Sequence, residues 1–393
     1  MRRPSGRAKF HWHDRTFRRS DGEKSGSRIM DRRVFLTLSS SLALSACAGG
    51  ARTVSLDAVN RAGSSIVPLL VVSSRNVKSD GSLGSQRGET LSFGRYDVSI
   101  PPNRKAGNVT FGTFRANPRK HFATVSNELF PSEATFRSQL KAQLLSRPAG
   151  KRNAIIFVHG YNTGYEDGLF RFAQFYSDIG LDDVPVHYSW PSAERLLRYG
   201  YDRDSMLYAR DGFETTIRSV IAAGAERVVI VGHSMGTMLI METLREIAIA
   251  GDADVRSRIG GVILVSPDID VDVFRSQARR IGTLPQPFVI FSSKRDRVLK
   301  FAANEIYGST RVGALELGGE LSDLDVNVVD VTDYSRGLLN HDTAITSPAF
   351  LKIIGNMRAF SESFGEGATT LADDLPSSFM SVQDADHFDI GAF

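Results

Sequence analysis

A run of strand-forming residues ends in Gly-His-Ser-Met-Gly and passes at once into an apolar-periodic helix. The residues are Arg227, Val228, Val229, Ile230 and Val231, then Gly232, His233, Ser234, Met235 and Gly236. Four consecutive β-branched residues suit a parallel strand covered on both faces. Beyond the turn, Met238, Leu239, Met241, Leu244 and Ile247 recur near the helical period. A strand that turns straight into a helix needs glycines where the two backbones nearly touch, and it holds the residue between them in a strained conformation. This G-x-S-x-G elbow pushes Ser234 out at the carboxyl end of a sheet and makes it the candidate nucleophile. The plainer reading is a glycine-rich turn with an idle serine, and the regular flanks on both sides weigh against it.

A serine hydroxyl needs a base to take its proton and a third group to orient that base. On an elbow of this kind the chain order is serine, acid, histidine. Two histidines follow Ser234: His341, in a loop after the strand-like residues 326–331, and His387, in a polar C-terminal stretch. Topology favours His341. Two strand ends offer an acid. Residues 287–292 lead to Asp296 immediately before the histidine-bearing loop, so Asp296 is the first choice. Residues 261–266 lead to Asp268, the reserve, with Asp270 and Asp272 reading as helix caps. Anion stabilisation needs two preorganised N–H donors. Met235 supplies one. The loop His159, Gly160, Tyr161, Asn162, after the apolar residues 154–158, supplies the other from Tyr161 or Asn162. His159 falls outside the expected order and reads as a residue that braces the loop.

The 393 residues suffice for one large α/β domain with extensions. The formal charge of +4 conceals a net of +7 in residues 1–46 and −3 in the remainder. No basic face survives for nucleic acid. The single cysteine, Cys47, excludes an intrachain disulfide and a thiolate metal cluster. No His-x-x-x-His spacing appears, so neither metal nor other cofactor is expected.

The setting of Cys47 carries its own expectation. Arg32 and Arg33 precede an apolar run that ends in Leu44, Ser45, Ala46 and Cys47. The run is too short to span a membrane stably. It resembles a bacterial lipobox, which implies cleavage before Cys47 and lipidation of its thiol. The twin arginines resemble an export signal, although Asp31 stands where Ser or Thr is usual. The expected organisation is residues 1–29 outside the mature protein with Met30 the true start, 30–46 a lipoprotein signal peptide, 47–64 a tether, 65–364 the main domain and 365–393 an irregular tail. Within the domain, strand-like residues 68–73, 91–100 and 109–111 surround a loop at 75–88. Strands and helices then alternate, with one long helix at 205–223 and a closing helix at 348–364. Alternation of this kind indicates a mainly parallel sheet with helices on both faces. Trp190 reads equally as a pocket wall or as a surface-packed aromatic at a loop start.

With these segments placed, the chain resembles the α/β-hydrolases, and among them the bacterial DUF900 group of esterase- and lipase-like proteins. The elbow, the His-Gly-Tyr-Asn loop, the strand end Tyr188, Ser189, Trp190, Pro191, the segment 93–101 and Arg311, Val312, Gly313 carry the resemblance over about residues 66–355. It implies an α/β-hydrolase fold and Ser234, Asp296 and His341 as the triad. It implies no particular substrate. The expected function is a serine hydrolase of carboxylic esters or thioesters, with a small-molecule or lipid ester as substrate. The protein would be held in the cell envelope, on the periplasmic side, by the lipid on Cys47. The competing expectation is a noncatalytic lipid-binding or scaffold lipoprotein that keeps the fold.

Overall fold

The structure is a computed structural model that describes residues 52–112, 114–301, 310–315, 319–334, 341–349 and 351–352. Cys47, the expected signal segment, His387 and the C-terminal tail lie outside the described residues, as does most of the expected closing helix. In chain order the elements are α1 (Leu56–Ala62), β1 (Ser65–Val77), β2 (Leu83–Ile100), β3 (Ala123–Phe130), α2 (Glu133–Leu145), β4 (Ala154–Val158), α3 (Tyr165–Asp178) and β5 (Val184–Ser189). There follow α4 (Tyr199–Tyr208), α5 (Arg210–Ala222), β6 (Val228–His233), α6 (Met235–Ile249), α7 (Ala253–Arg258), β7 (Ile259–Val265), α8 (Val271–Ile281), β8 (Phe288–Ser292), α9 (Arg297–Phe301), β9 (Asn327–Asp330) and α10 (Thr343–Thr346).

The strands form one sheet in the order β3-β2-β1-β5-β4-β6-β7-β8-β9. The β1–β2 and β2–β3 pairs are antiparallel, and every pairing from β1–β5 to β8–β9 is parallel. Alternate residues of the central strands feed two cores, one on each face. Ala154, Ile156, Val158, Val228 and Ile230 join one, while Ile155, Phe157, Val229 and Val231 join the other. Their continuous apolar sequence follows from this two-sided burial. The chain moves outward from β4 to β5 and then crosses back to β6 on the other side of β4. The carboxyl ends of β4 and β6 therefore flank the point where strand order reverses, where ligands bind in open α/β sheets.

Four sequence expectations differ from the structure. Residues 75–88, expected as loop, continue both arms of a hairpin, with Arg75 paired to Arg87 and Val77 to Leu83. The segment reads as loop because Ser, Asn, Gly and Arg lack the apolar alternation of an ordinary half-buried strand. Residues 109–111 form no strand; the third antiparallel strand is β3, and Phe111 packs its ring 5.9 Å from that of Phe170. The long helix at 205–223 is two helices that meet at Ala209, whose carbonyl accepts a bond from Tyr188 Oη at 2.7 Å. The tether expected through residue 64 contains α1, capped by Ser55, whose Oγ accepts from Ala58 N at 3.3 Å.

Candidate active site

Ser234 occupies the turn between β6 and α6 at φ 51°, ψ −125°, a left-handed setting that costs a residue with a side chain about 1–3 kcal/mol. The surroundings enforce it. Ser234 N donates to Val265 O at 2.9 Å, and Thr237 Oγ1 donates back to Ser234 O at 2.6 Å. A Cβ on Gly236 would run into the backbone oxygens of Val158 and His159, so only glycine lets α6 pass this close to the end of β4. A Cβ on Gly160 would lie 2.9 Å from Ser234 Cβ. That contact shows how near the His159–Asn162 loop approaches the serine.

His341 Nδ1 stands 2.7 Å from Asp296 Oδ2. Asp296 follows β8 and is fully buried, and its Oδ1 also accepts from Leu299 N at 3.0 Å at the start of α9. Burial opposes a charged imidazole, but the carboxylate of Asp296, with lesser help from Asp342 and Asp268, outweighs it and raises His341 to about 8. Ser266, itself at φ 47°, donates from Oγ to His341 O at 2.7 Å. The reserve acid, Asp268, is engaged elsewhere. Tyr199 Oη donates to its Oδ2 at 2.6 Å, and Arg311 Nε lies 3.4 Å from its Oδ1. Among the described residues Asp268 forms no hydrogen bond or ion pair with an imidazole.

The two backbone donors differ in what surrounds them. Met235 is the first residue of α6, where a helix leaves its N–H groups without intrahelical partners. In the facing loop Asn162 N already donates to Asp202 Oδ2 at 3.1 Å, whereas Tyr161 N has no partner among the described residues. Of the two alternatives left open by the sequence, the geometry leaves Tyr161 available. His159 braces the loop as expected. Its Nε2 lies 3.0 Å from Trp190 O, its ring stacks on the Trp190 indole at 4.9 Å, and Trp190 Nε1 donates to His159 O at 2.8 Å. Burial, then Arg75 and His187, hold its pKa well below the ordinary imidazole value. Trp190 is thus a fully buried part of the brace, neither pocket wall nor surface aromatic.

A family model described as an alpha/beta hydrolase of unknown function (DUF900) matches residues 132–358. The chain belongs to this family. The match begins after the antiparallel hairpin and spans β4 through His341. No curated protein sequence matches the chain. Among solved structures, an esterase of Pyrococcus furiosus is similar at 11% identity, covering 78% of this chain and 95% of that one, with a TM-score of 0.34. Esterases of Rhizomucor miehei are similar at 13% identity, covering 75% and 83%, with a TM-score of 0.31. Lipase B of Aspergillus fumigatus is similar at 13% identity and a TM-score of 0.32, covering 52% of this chain. The chain spans about half the length of that lipase, 51%.

This DUF900 hydrolase holds a cleft of about 670 Å³ beside the site, bordered by Gly160, Tyr161, His233, His341, Arg171 and Leu196 among others. Three groups around it escaped the sequence reading. His233, the variable residue of the elbow, sets its Nε2 3.1 Å from Asp342 Oδ1 and packs its ring 4.9 Å from that of His341. Asp342 is held well below the usual carboxylate range by its bond to His233 and by the nearby imidazole and Arg171 charges. Arg75 is fully buried in β1 and donates to Ser189 Oγ at 2.9 Å, Gly84 O at 3.1 Å, Thr163 O at 2.8 Å and Glu194 Oε1 at 3.2 Å. Burial, only partly offset by Glu194, lowers it to about 10. Asp202 receives Ser192 Oγ and Ala193 N, each at 2.6 Å, besides Asn162 N. Only Asp342, next to His341 in sequence, left a trace that local reading could have followed.

Proposed function

We propose that the protein is a serine hydrolase of carboxylic esters or thioesters, with Ser234 as nucleophile, His341 as base and Asp296 as its orienting acid. The observation that carries this reading is the 2.7 Å contact of His341 with buried Asp296, at the sheet edge that also bears the strained Ser234. Ser234 Oγ attacks the acyl carbon while its proton passes to His341 Nε2. The oxyanion is held by the N–H groups of Met235 and Tyr161. His341 then returns the proton to the leaving alcohol or thiol, and the acyl group stays on Ser234 Oγ. Water, deprotonated by the same imidazole, releases the carboxylic acid and restores the serine. Asp296 stays ionised and stabilises the imidazolium.

A fluorophosphonate probe tests this directly. The native protein is expected to be labelled, and Ser234→Ala to remain unlabelled. Equal behaviour of the two proteins would sink the reading.

The place of action is proposed from the leader: export, cleavage before Cys47 and a lipid on its thiol, holding the domain at the periplasmic face of a bacterial envelope membrane. Metabolic labelling with a palmitate analogue is expected to mark the protein and to fail for Cys47→Ala. Labelling that persists in Cys47→Ala would remove this part of the proposal.

A further inference from the structure

Phe114 and Leu197 are the two most exposed large apolar side chains among the described residues, at 94% and 98%. They belong to different loops, and each lies within three residues of a side chain that borders the cleft. Phe111, 38% exposed, borders it from one loop, and Leu196, 75% exposed, borders it from the other. Single exposed apolar residues are ordinary on a folded surface. Two in loops that each also carry an exposed apolar residue lining one cleft, Phe111 and Leu196, mark an interaction surface.

The unpaired charges beside them are positive. Arg195 and Arg198 bracket Leu196 and Leu197, and Arg115, Arg119 and Lys120 follow Phe114; all five are exposed. None of the five forms an ion pair among the described residues, although Arg119 donates to Arg61 O at 3.3 Å. The acidic groups nearby are already engaged. Glu194 pairs with Arg75 at 3.2 Å, Asp167 with Arg52 at 2.7 Å and Asp342 with His233 at 3.1 Å. The rim therefore offers apolar side chains on loop tips, surrounded by cations without carboxylate partners.

We propose that this rim docks on an anionic lipid bilayer, with Phe114 and Leu197 entering the headgroup boundary and the neighbouring arginines meeting lipid phosphates. Apolar side chains combined with Lys and Arg bind such surfaces by buried area and by attraction to anionic lipid. No helix among the described residues is long and apolar enough to cross a membrane. Docked in this way, the cleft opens towards the bilayer, and an ester-bearing lipid can reach it without crossing water. The proposal requires neither the chemistry of Ser234 nor a lipid on Cys47.

Vesicle flotation tests it with the full chain carrying Cys47→Ser and Ser234→Ala, so that acylation and turnover are both absent. The vesicles are phosphatidylcholine with and without phosphatidylglycerol. Binding is expected to be stronger with phosphatidylglycerol and to weaken with salt. Adding Phe114→Ser and Leu197→Ser is expected to lower vesicle affinity by roughly tenfold or more, with the melting temperature unchanged. Arg195→Gln with Arg198→Gln is expected to lower the preference for phosphatidylglycerol relative to the parent protein, which carries the same basic leader. The leader, itself basic, is common to all variants, so the affinities are compared at lipid concentrations below saturation and between variants only. Equal binding by parent and Phe114→Ser/Leu197→Ser proteins would overturn the proposal, as would absence of binding. Self-association that the same two substitutions abolish would also overturn it, by assigning the surface to a second copy. Loss of fluorophosphonate labelling in native protein would sink the hydrolase reading and leave this result standing.

Discussion

His341 and Asp296 meet at 2.7 Å with the carboxylate wholly buried and the imidazole side chain 14% exposed. A carboxylate in that position holds the imidazole in one orientation, with Nδ1 protonated and Nε2 free to accept. It also favours the protonated ring, which is why His341 sits at about 8 despite its burial.

The first prediction follows from that value. A base must be neutral to accept the serine proton, so kcat/KM is expected to rise with pH and level off above an apparent pKa near 8. In Asp296→Asn the burial of the ring is no longer opposed by that charge, so the midpoint moves downward. The plateau is expected to fall by about 10³- to 10⁴-fold, as when a triad acid is lost. A pH–rate series on a soluble ester reads both, and an unmoved midpoint in Asp296→Asn would exclude the pairing as the cause.

The same shift makes a prediction about stability. The folded-state pKa of about 8 lies above the ordinary 6.5, so the protonated ring is favoured by folding. The contribution is complete below pH 6.5 and is lost as pH rises through 8. It amounts to about 2 kcal/mol. Urea unfolding at pH 6 and pH 9 is expected to show this loss in the native protein and its absence in His341→Gln.

Asp268 answers a different question. Its carboxylate faces Arg311 and Tyr199, with both members of the Arg311 pair buried. Asp268→Asn is expected to leave the pH midpoint of kcat/KM close to the native value while lowering stability by about 3 kcal/mol, the cost of breaking a buried pair. Denaturant melts and the pH–rate series together separate it from Asp296→Asn. A collapse of kcat/KM in Asp268→Asn with unaltered stability would reverse the assignment of the two acids.

What the sequence disclosed and what it withheld follow one physical distinction. The elbow was legible because strand, glycine turn and helix are each specified within a few neighbouring residues, and Ser234 takes up the strained turn it implies. The contact of His341 with Asp296 was reachable because chain order limits the choices on this fold, whereas Asp268 could be demoted only by seeing Arg311 and Tyr199 against it. Arg75 and Asp202 were not legible. Each acts through partners more than eight residues away, and a buried Arg in a Ser- and Asn-rich segment has the composition of a surface loop. Strand β3 was passed over because three consecutive exposed polar residues, Ser126, Asn127 and Glu128, break its apolar pattern at the edge of the sheet.

Asp202 bears the last prediction. Its two oxygens receive Asn162 N at 3.1 Å, Ser192 Oγ at 2.6 Å and Ala193 N at 2.6 Å, so one buried side chain fixes the loop that carries Tyr161 to the loop after Trp190. An amide in its place turns one acceptor into a donor that faces N–H or O–H groups. Asp202→Asn is therefore expected to displace the Tyr161 N–H from the position where negative charge develops. A misplacement of this kind costs roughly tenfold to hundredfold in kcat, with KM little altered. The pH midpoint near 8 should stay, because His341 and Asp296 are untouched. A brace that served folding alone would lower the melting temperature and leave kcat unchanged at a temperature where the protein is fully folded. Measuring kcat and the rate of fluorophosphonate reaction well below the melting transition distinguishes the two, and native rates there would remove Asp202 from any part in positioning the oxyanion donors.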